Sequence, residues 1–368
     1  MRLSVISFTQ KGAELSERTA MLAELYDVSL FTKYSGSMDA SLSMDASLSM
    51  DASLQKAEIT FVKERIGEWA GEQLAKRNGI LFIGACGIAV RAIAPYLTDK
   101  LHDSPVLVMD ELGNYIIPIL SGHMGGANEI AVYLGRQLGA VPVITTATDV
   151  NRKFAVDVFA RRNGLYITDK SGIARVSSKV LTGERIAISV ETGHLKEAGQ
   201  APPEVCIAAY PPQQPVDIII TAETEELPAA FCLRPKEYVI GIGCRKGKAQ
   251  EEIEEFIYNT IKQVGIRIEQ VYALASVAQK SREAGLLGFS QKAAIPFVTY
   301  PAEELEKIPG SFHESEFVKK TVGVANVCER AALAACVTGG ILVLDKKAEN
   351  GMTIAIAKRE WRVAFDEE

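Results

Sequence analysis

The chain has 368 residues, a length that predicts two or three domains because one hydrophobic core rarely organises so many. Hydrophobic residues make up 48% and charged residues 23%, an ordinary globular composition, and the apolar runs are too short to span a bilayer. A net charge of -6 argues against a nucleic-acid partner, although a local basic pocket for an anionic small molecule remains compatible with it. The six cysteines form neither a CxxC motif nor a zinc-like spacing, and no signal peptide is recognisable, so we expect reduced thiols in a cytoplasmic protein.

The first part of the chain alternates predicted strands and helices around one low-complexity insertion. The hexapeptide SMDASL occurs three times over Ser37–Leu54, and its small polar residues offer no core, which indicates a surface insertion without chemistry over residues 35–54. The predicted elements outside it are the strands Leu3–Phe8, Val28–Thr32, Ile80–Ile83, Val106–Met109, Tyr115–Leu120 and Val141–Thr146, and the helices Ala13–Leu25, Val62–Arg77, Ile88–Tyr96 and Ala127–Leu138. This alternation predicts an N-terminal α/β domain over residues 1–148, with a largely parallel, doubly wound sheet.

Two further α/β domains are predicted after it. Over residues 149–234 the alternation is weaker and proline pairs interrupt it, which indicates a small middle domain. Arg234-Pro235 marks a boundary, and a C-terminal domain with a largely parallel sheet is predicted over residues 235–368. The predicted elements of both domains are the strands Ile186–Val190, Val216–Thr221, Tyr238–Gly241, Val271–Ala275, Phe297–Tyr300, Ile341–Leu344 and Thr353–Ala357, and the helices Phe154–Arg162, Ile173–Lys179, Gln250–Gln263, Ser281–Leu287, Ala302–Lys307 and Asn326–Cys336.

Three glycine-containing loops each follow a predicted strand and precede a predicted helix, the position at which open α/β sheets bind ligands. The first is Gly84–Arg91, GACGIAVR. Gly84 and Gly87 allow the backbone to approach a ligand closely, and Arg91 offers a planar fork for a carboxylate. The alternative is a tight turn with Arg91 on the surface.

The second loop, Ser121–Asn128, has the sequence SGHMGGAN and carries the residue best suited to acid–base chemistry. Histidine transfers protons near neutral pH, so His123 is the candidate general base. The alternative is a histidine that caps the helix or packs against a neighbour. The glycines Gly122, Gly125 and Gly126 have no side chain to block a ligand from the backbone. The side chains of Ser121 and Asn128 supply hydrogen-bonding groups.

The third loop is Gly241–Lys248, GIGCRKGK. It is neither the dinucleotide fingerprint GxGxxG, because its third glycine falls one place late at Gly247, nor a P-loop. We expect a cradle for carboxylates or phosphates with basic counter-charges, and the alternative is a basic, solvated turn. The counter-charges are Arg245, Lys246 and Lys248.

Two acidic segments complete the candidates. Asp110-Glu111 ends a predicted strand, and Thr145–Asp149 reads TTATD. Their carboxylates are candidates to orient His123 or to act as bases, and the alternative is capping of helices and turns. Capping is the favoured interpretation for Asp149.

At these loops the chain resembles the CbiG family, the cobalt-precorrin-5A hydrolases of anaerobic cobalamin (vitamin B12) biosynthesis. The resemblance covers nearly the whole chain except the SMDASL insertion, and its specificity comes from an ordered series of matches. The matching stretches are Gly84–Pro95, Val106–Asn128, Gly139–Asn151, Val239–Lys248, Leu274–Ser276 with Lys280 and Glu283, Gly323–Leu333 and Thr353–Lys358.

The resemblance implies a hydrolase that opens the δ-lactone of cobalt-precorrin-5A and yields cobalt-precorrin-5B and acetaldehyde. Cobalt arrives with the substrate, so we expect no cofactor and no metal site of the protein. Within that reaction our candidate catalytic residues are His123, Ser121 and Glu111, with backbone N–H groups of Gly84–Gly87 or Gly122–Gly126 as oxyanion donors. The candidates for binding the corrinoid and its carboxylates are Gly84, Gly87, Arg91, Gly122, Gly125, Gly126, Asn128, Thr145, Thr146, Arg245, Lys246, Lys248 and Lys280.

Two other classes of function are alternatives to this hydrolase. A non-catalytic corrinoid-binding or carrier protein would use the same loops without reacting, and a nucleotide-dependent α/β enzyme is disfavoured by the failed fingerprints. The expected partner is a cobalt-corrinoid small molecule, with neither a nucleic acid nor a membrane involved. A homodimer stays open as an alternative to a monomer.

Overall fold

The computed structural model describes residues 2–20, 27–37, 58–98, 103–196, 201–223, 229, 231–313, 323–337 and 339–365. The chain divides into two compact units, Met1–Val150 and Asn151–Glu368. Most of the insertion predicted over residues 35–54 lies outside the described residues, as does the end of the helix predicted over Ala13–Leu25. Within the described part of the chain, no helix combines the length and the apolar character that crossing a membrane requires.

One sheet runs through the first unit. Its strands are β1 (Arg2–Ser7), β2 (Asp27–Thr32), β3 (Ile59–Phe61), β4 (Gly79–Ile83), β5 (Val106–Met109), β6 (Tyr115–Leu120) and β7 (Val141–Pro142). The order across the sheet is β3-β2-β1-β4-β5-β6-β7, and β1 to β5 are mutually parallel. Its helices are α1 (Gln10–Ala20), α2 (Ile66–Ala75), α3 (Cys86–Ile93), α4 (Ala127–Leu138) and α5 (Ala147–Val150).

Strand β6 reverses the direction of the sheet. It pairs antiparallel with β5, so that Leu120 lies opposite Val106 and Ile116 opposite Met109, and β7 runs parallel to β6. The segment between β5 and β6 is far shorter than the dozen or so residues that a parallel crossover needs, so the two strands form a hairpin. The loop after β6 therefore opens at the opposite edge of the sheet from the loop after β4.

Both faces of this sheet are covered by helices. Along β4, Leu81 and Ile83 pack with α1 and α4, while Ile80 and Phe82 pack with α2 and α3, because successive side chains of a strand point to opposite faces. Trp69 of α2 is almost fully buried and contacts Phe82 edge to face. A strand buried on both faces explains why β4 is apolar without alternation.

The second unit contains two five-stranded sheets. The strands of the first are β8 (Leu165–Ile167), β9 (Ile186–Val190), β10 (Val205–Ala208), β11 (Ile218–Ile220) and β12 (Cys232–Pro235). Their order is β10-β9-β11-β12-β8, and β8 alone is antiparallel to its neighbour. The helices in this part of the chain are α6 (Val156–Arg162) and α7 (Lys170–Leu181).

The other sheet of this unit has the order β15-β14-β13-β17-β16 once its strands are numbered along the chain. They are β13 (Tyr238–Cys244), β14 (Val271–Val277), β15 (Phe297–Tyr300), β16 (Gly340–Glu349) and β17 (Met352–Arg359). β13, β14 and β15 are parallel, whereas β17 is antiparallel to both β13 and β16. Its helices are α8 (Gln250–Gln263), α9 (Ala284–Ala293), α10 (Ala302–Glu306) and α11 (Cys328–Ala334). The predicted fold class, several α/β domains with mostly parallel sheets, is confirmed.

Candidate active site

The loop after β6 folds back on itself before α4 begins. Ser121 and Gly126 both have left-handed backbone conformations, with φ of 54° and 82°. The carbonyl oxygen of Ser121 accepts a hydrogen bond from Ala127 N at 3.1 Å, and that of His123 accepts one from Gly126 N at 3.0 Å. These bonds hold His123 on a compact turn beside the start of α4.

His123 forms a close pair with a carboxylate from the loop after β7. Its Nε2 lies 2.7 Å from Asp149 Oδ2, with 12% of the histidine side chain and 39% of the aspartate side chain exposed. The hydroxyl oxygen of the buried Thr148 lies 3.3 Å from the same ring nitrogen. Capping is the interpretation that the sequence favours for Asp149, but in the structure its carboxylate contacts His123 and Asn128.

Asn128 closes the cluster from α4. Its Nδ2 donates to Asp149 Oδ2 at 2.7 Å and to Thr146 Oγ1 at 3.0 Å, and the residue is buried. The interactions around His123 thus join two segments that β6 and β7 bring together, the turn before α4 and residues 146–149. Thr145, the neighbour of Thr146 in the predicted binding set, is exposed.

The pair of His123 and Asp149 has a defined chemical capability. A carboxylate has no proton to donate, so the short contact places a proton on the histidine Nε2. The carboxylate fixes the orientation of the ring and stabilises the imidazolium that forms when the histidine takes up a second proton. The geometry therefore suits general acid–base chemistry.

Two glycines of this loop are required by its own packing. A Cβ at Gly122 would lie 2.7 Å from Asn128 Oδ1, and one at Gly125 would lie 2.5 Å from the Ser121 Cβ. The side chain of Ser121, predicted to be catalytic, donates from Oγ to the Asp103 carbonyl oxygen at 2.7 Å. Ser121 therefore anchors the loop to the chain just before β5.

The first predicted loop, Gly84–Arg91, lies at the opposite edge of the same sheet from His123. Gly84 N donates to the Met109 carbonyl oxygen at 2.8 Å, which places Gly84 beside the C-terminal end of β5. Arg91 Nη1 donates to the Gly87 carbonyl oxygen at 3.1 Å, one turn earlier in α3. Because the Gly84 N–H is already donated and lies at this edge, it cannot serve as an oxyanion donor beside His123.

Glu111 also lies at this opposite edge, in the hairpin turn after β5. Its Oε2 accepts a hydrogen bond from Thr9 Oγ1 at 2.8 Å, and that hydroxyl oxygen accepts one from Gly12 N at 3.1 Å in the first turn of α1. Its neighbour Asp110 accepts hydrogen bonds from Tyr115 N and another amide of the same turn. The structure does not bring either carboxylate to His123, because β6 carries the histidine loop to the other end of β5.

The basic residues predicted after β13 and β14 belong to the second unit, and two of them are paired there. Lys280 Nζ donates to Glu283 Oε2 at 2.8 Å, and Glu283 Oε1 accepts a second hydrogen bond from Gly247 N at 2.6 Å. Lys248, just before α8, forms an ion pair with Glu252 in the first turn of that helix. Arg245 and Lys246 are the exposed cations of this loop.

The pairing with Lys280 affects the charge state of Glu283. Burial by itself raises the pKa of this carboxyl, but the hydrogen bonds from Lys280 and Gly247 and the charges of Lys280 and Lys246 outweigh it, so the pKa is lowered. Burial raises the pKa of the neighbouring Cys244 thiol. At neutral pH this loop therefore holds an ionised glutamate and a protonated thiol.

The mostly parallel sheets and the histidine–aspartate pair define a multidomain α/β protein with a candidate site for acid–base chemistry. Three consecutive segments match families of one biosynthetic process: residues 68–149 match cobalamin synthesis G N-terminal, 154–235 the cobalamin biosynthesis central region, and 238–357 cobalamin synthesis G C-terminus. The chain therefore belongs to the CbiG family of cobalamin synthesis, as the resemblance indicated.

Similar proteins carry a matching name. The chain is 34% identical over 287 residues to the cobalt-precorrin-5A hydrolase of Salmonella typhimurium, across 76% of this chain and 81% of that protein. It is 29% identical to the cobalt-precorrin-5A hydrolase of Priestia megaterium, across 96% and 94%. The predicted enzyme class, a hydrolase, is thus the class of its named relatives. A putative cobalamin biosynthesis protein G homolog from Sulfolobus solfataricus, 20% identical, aligns over 98% of this chain and 97% of that one with a TM-score of 0.37.

Proposed function

We propose that this chain hydrolyses the δ-lactone of cobalt-precorrin-5A to cobalt-precorrin-5B with release of acetaldehyde. Membership of the CbiG family and the names of its relatives support the substrate. The observation that carries the chemistry is the 2.7 Å pair of His123 and Asp149 in the glycine-rich loop after β6. Lactone hydrolysis needs an activated water, and a carboxylate-bound histidine is a common means of activating one.

In the first step His123 takes a proton from water while the oxygen of that water bonds to the lactone carbonyl carbon. The resulting imidazolium is stabilised by Asp149, and the proton is then returned to the ring oxygen as its bond to the carbonyl carbon breaks. The products are a free carboxylic acid and an alcohol on the same corrinoid. A general base of this kind contributes about 10²–10⁴ in rate.

The second step breaks a carbon–carbon bond in the alcohol. The hydroxyl loses its proton, its carbon–oxygen bond becomes the carbonyl of acetaldehyde, and the electron pair of the broken carbon–carbon bond stays on the corrinoid. That carbon takes up one proton, so the sum over both steps is one lactone and one water giving one acid and one acetaldehyde. No oxidant or reductant is needed.

The reacting lactone is placed by this proposal at the edge of the first sheet where β6 ends. Backbone N–H groups within Gly122–Gly126 are the proposed oxyanion donors, and each such donor contributes about 10²–10³ in rate. Gly84–Gly87 is dropped from that role, because the Gly84 N–H is donated to Met109 at the other edge. Cobalt enters as part of the substrate, and the proposed chemistry uses no cofactor.

The test combines purified protein with cobalt-precorrin-5A and measures two products. Acetaldehyde is trapped and quantified, and the mass of the corrinoid product is measured by mass spectrometry. We expect equal amounts of acetaldehyde and cobalt-precorrin-5B, and a fall in turnover of about tenfold or more for His123→Ala with corrinoid binding retained. The matched control is His313→Ala, which removes another histidine paired with a carboxylate, Glu329 at 3.1 Å.

Two outcomes would contradict the proposal. Tight corrinoid binding without acetaldehyde above background would identify a carrier rather than a hydrolase. Wild-type turnover by His123→Ala would keep the reaction but remove His123 from it.

A further inference from the structure

The side-chain amide of Asn128 donates a hydrogen bond to the carboxylate of Asp149 that contacts His123. Its Nδ2 lies 2.7 Å from Asp149 Oδ2, the same carboxylate oxygen that contacts His123 Nε2, and 3.0 Å from Thr146 Oγ1. Asn128 is buried, whereas 39% of the Asp149 side chain is exposed. A half-exposed carboxylate has water as an alternative partner, so its orientation depends on the groups that fix it.

From this geometry we infer that Asn128 is a positioning residue for the proposed reaction, not a substrate-binding one as its sequence context suggested. The Asn128 amide donates to Thr146 and to Asp149, and the bond to Asp149 holds that carboxylate beside the histidine ring. The inference rests on the proposed function, since it assigns Asn128 a role through His123. Asn128 makes no contact with the reacting atoms in this role.

Gly122 supports the same assignment from the other side of the amide. A Cβ at this position would lie 2.7 Å from Asn128 Oδ1 and 3.1 Å from its Nδ2. Only a residue without a side chain leaves room for the amide at this place in the loop. Gly122→Ala is therefore expected to move the Asn128 amide without removing it, which provides a second perturbation of the same amide.

The test compares Asn128→Ala, Gly122→Ala and the double variant, with Asn114→Ala as the matched control. Asn114 also donates to an aspartate, with its Nδ2 at 3.3 Å from Asp110 Oδ1, but it lies in the exposed turn between β5 and β6. We expect kcat/KM for the lactone to fall about 10- to 100-fold in Asn128→Ala, mainly through kcat, because misplacing a catalytic group by about 1 Å has an effect of that size. The two single effects should not add in the double variant, since both act through the same amide.

A second readout needs no substrate. Histidine labelled with ¹³C in the ring is followed by NMR as pH is varied, with the His123 signal assigned from its loss in His123→Ala. When Asp149 is released to solvent, the imidazolium loses its partner, so the midpoint of this titration and the acid limb of the pH–rate profile should both move to lower pH in Asn128→Ala. Asn114→Ala should move neither.

These readouts separate two failures. If His123→Ala abolishes turnover while Asn128→Ala leaves the profile and the NMR titration unchanged, Asn128 has no positioning role and the proposed function stands. A shift of the titration to higher pH would also overturn the inference, because it would mean that the carboxylate stays in place. If the titration moves as expected while His123→Ala remains fully active, Asn128 orients a pair that takes no part in the reaction, so the inference is overturned while the hydrolysis stands. Absence of acetaldehyde from the wild-type reaction would instead overturn the proposed function.

Discussion

Lys280 donates a hydrogen bond to Glu283 at 2.8 Å, with only 14% and 9% of the two side chains exposed. The other oxygen of the same carboxylate accepts a hydrogen bond from Gly247 N. Glu283 thereby joins the loops that follow β13 and β14. The charge of Lys280, a residue predicted to bind the substrate, therefore already has a partner within the protein.

We expect Glu283→Gln to destabilise the second unit by about 2–3 kcal/mol at pH 7, because the substitution leaves the Lys280 cation largely buried without a counter-charge. The pKa of Glu283 is lowered in the folded protein, so its contribution is present above the unfolded-chain pKa and is lost as pH falls through the folded one. Denaturant unfolding of wild type and variant should therefore converge as the pH falls below the folded-state pKa of Glu283, which lies below that of a free glutamate.

Glu252→Gln is the control for this prediction. It removes the ion pair with Lys248, but Glu252 is exposed, and exposed pairs contribute little to stability. We expect a much smaller loss at pH 7. Equal losses for Glu252→Gln and Glu283→Gln would show that burial of the Lys280 pair has no particular effect.

Regular elements with strong patterns could be predicted from the sequence. The strands Val106–Met109 and Tyr115–Leu120 and the helix Ala127–Leu138 have the predicted bounds, because each combines an apolar run or stripe with clear end signals. The short strands β3, β8, β10 and β12 were not predicted. They have three or four residues each, too few for a periodic pattern to emerge from the local sequence.

The direction of β6 could have been predicted and was not. The turn around Gly113 joins two apolar runs through a segment too short for a parallel crossover, and that is the signal of a hairpin. Because this hairpin was not predicted, Glu111 and Gly84 were grouped with His123. In the structure they lie at the opposite edge of the sheet.

The partner of His123 could not be predicted from spacing. Asp149 lies far along the chain, and the strand predicted over Val141–Thr146 ends in the structure at Pro142. Residues 143–146 are irregular and α5 follows, and this arrangement places Thr146 next to Asn128 and Asp149 next to His123. Only tertiary packing fixes these contacts, although the polar segment TTATD was a hint of a site.

The carboxylate of Asp149 is expected to be necessary for turnover. Asp149→Asn preserves the shape of the side chain but replaces an oxygen by an amide group, so the proton of His123 Nε2 loses its anionic acceptor. We expect kcat to fall by about 10²–10⁴ and the acid limb of the pH–rate profile to move to lower pH. Steady-state kinetics from about pH 5 to 9 would measure both, because this range covers the interval of about pH 5–8 in which histidine titrates.

Asp27→Asn is the control for Asp149→Asn. It removes an aspartate of the same unit from an exposed pair with Arg2 at 2.7 Å. Its activity should match wild type. A kcat for Asp149→Asn within about threefold of wild type would contradict the role assigned to the pair, because loss of a general base costs far more.

Gly125→Ala should distort the histidine loop. The new Cβ would lie 2.5 Å from the Ser121 Cβ and 2.9 Å from its carbonyl oxygen, so the backbone must shift. We expect a loss of about 1–3 kcal/mol in unfolding free energy together with a large loss of turnover. Gly139→Ala is the control. The φ of 75° at Gly139 disfavours alanine, but a Cβ there would have no atom within 4 Å. A similar loss of stability with normal turnover is expected there, and normal turnover in Gly125→Ala would show that the loop shape is dispensable.

The end of the chain is expected to stabilise the first sheet of the second unit. After β17 the backbone passes beside Leu195, where Lys196 N donates to the Val363 carbonyl oxygen at 2.9 Å and Val363 N donates to that of His194 at 2.7 Å. Val363 is fully buried. Val363→Ala should therefore cost about 1–2 kcal/mol, from two lost methyl groups at about 0.8 kcal/mol each.

The effect of Val363→Ala should also be local. Hydrogen exchange followed by mass spectrometry is expected to show faster exchange of the Lys196 amide, because its hydrogen bond is donated to the Val363 carbonyl oxygen. Arg362→Ala, at the exposed neighbouring position, should leave exchange unchanged. Unchanged exchange at Lys196 in Val363→Ala would mean that the terminal segment rests on the sheet without supporting it, and faster exchange spread evenly over the whole unit would point to global rather than local opening.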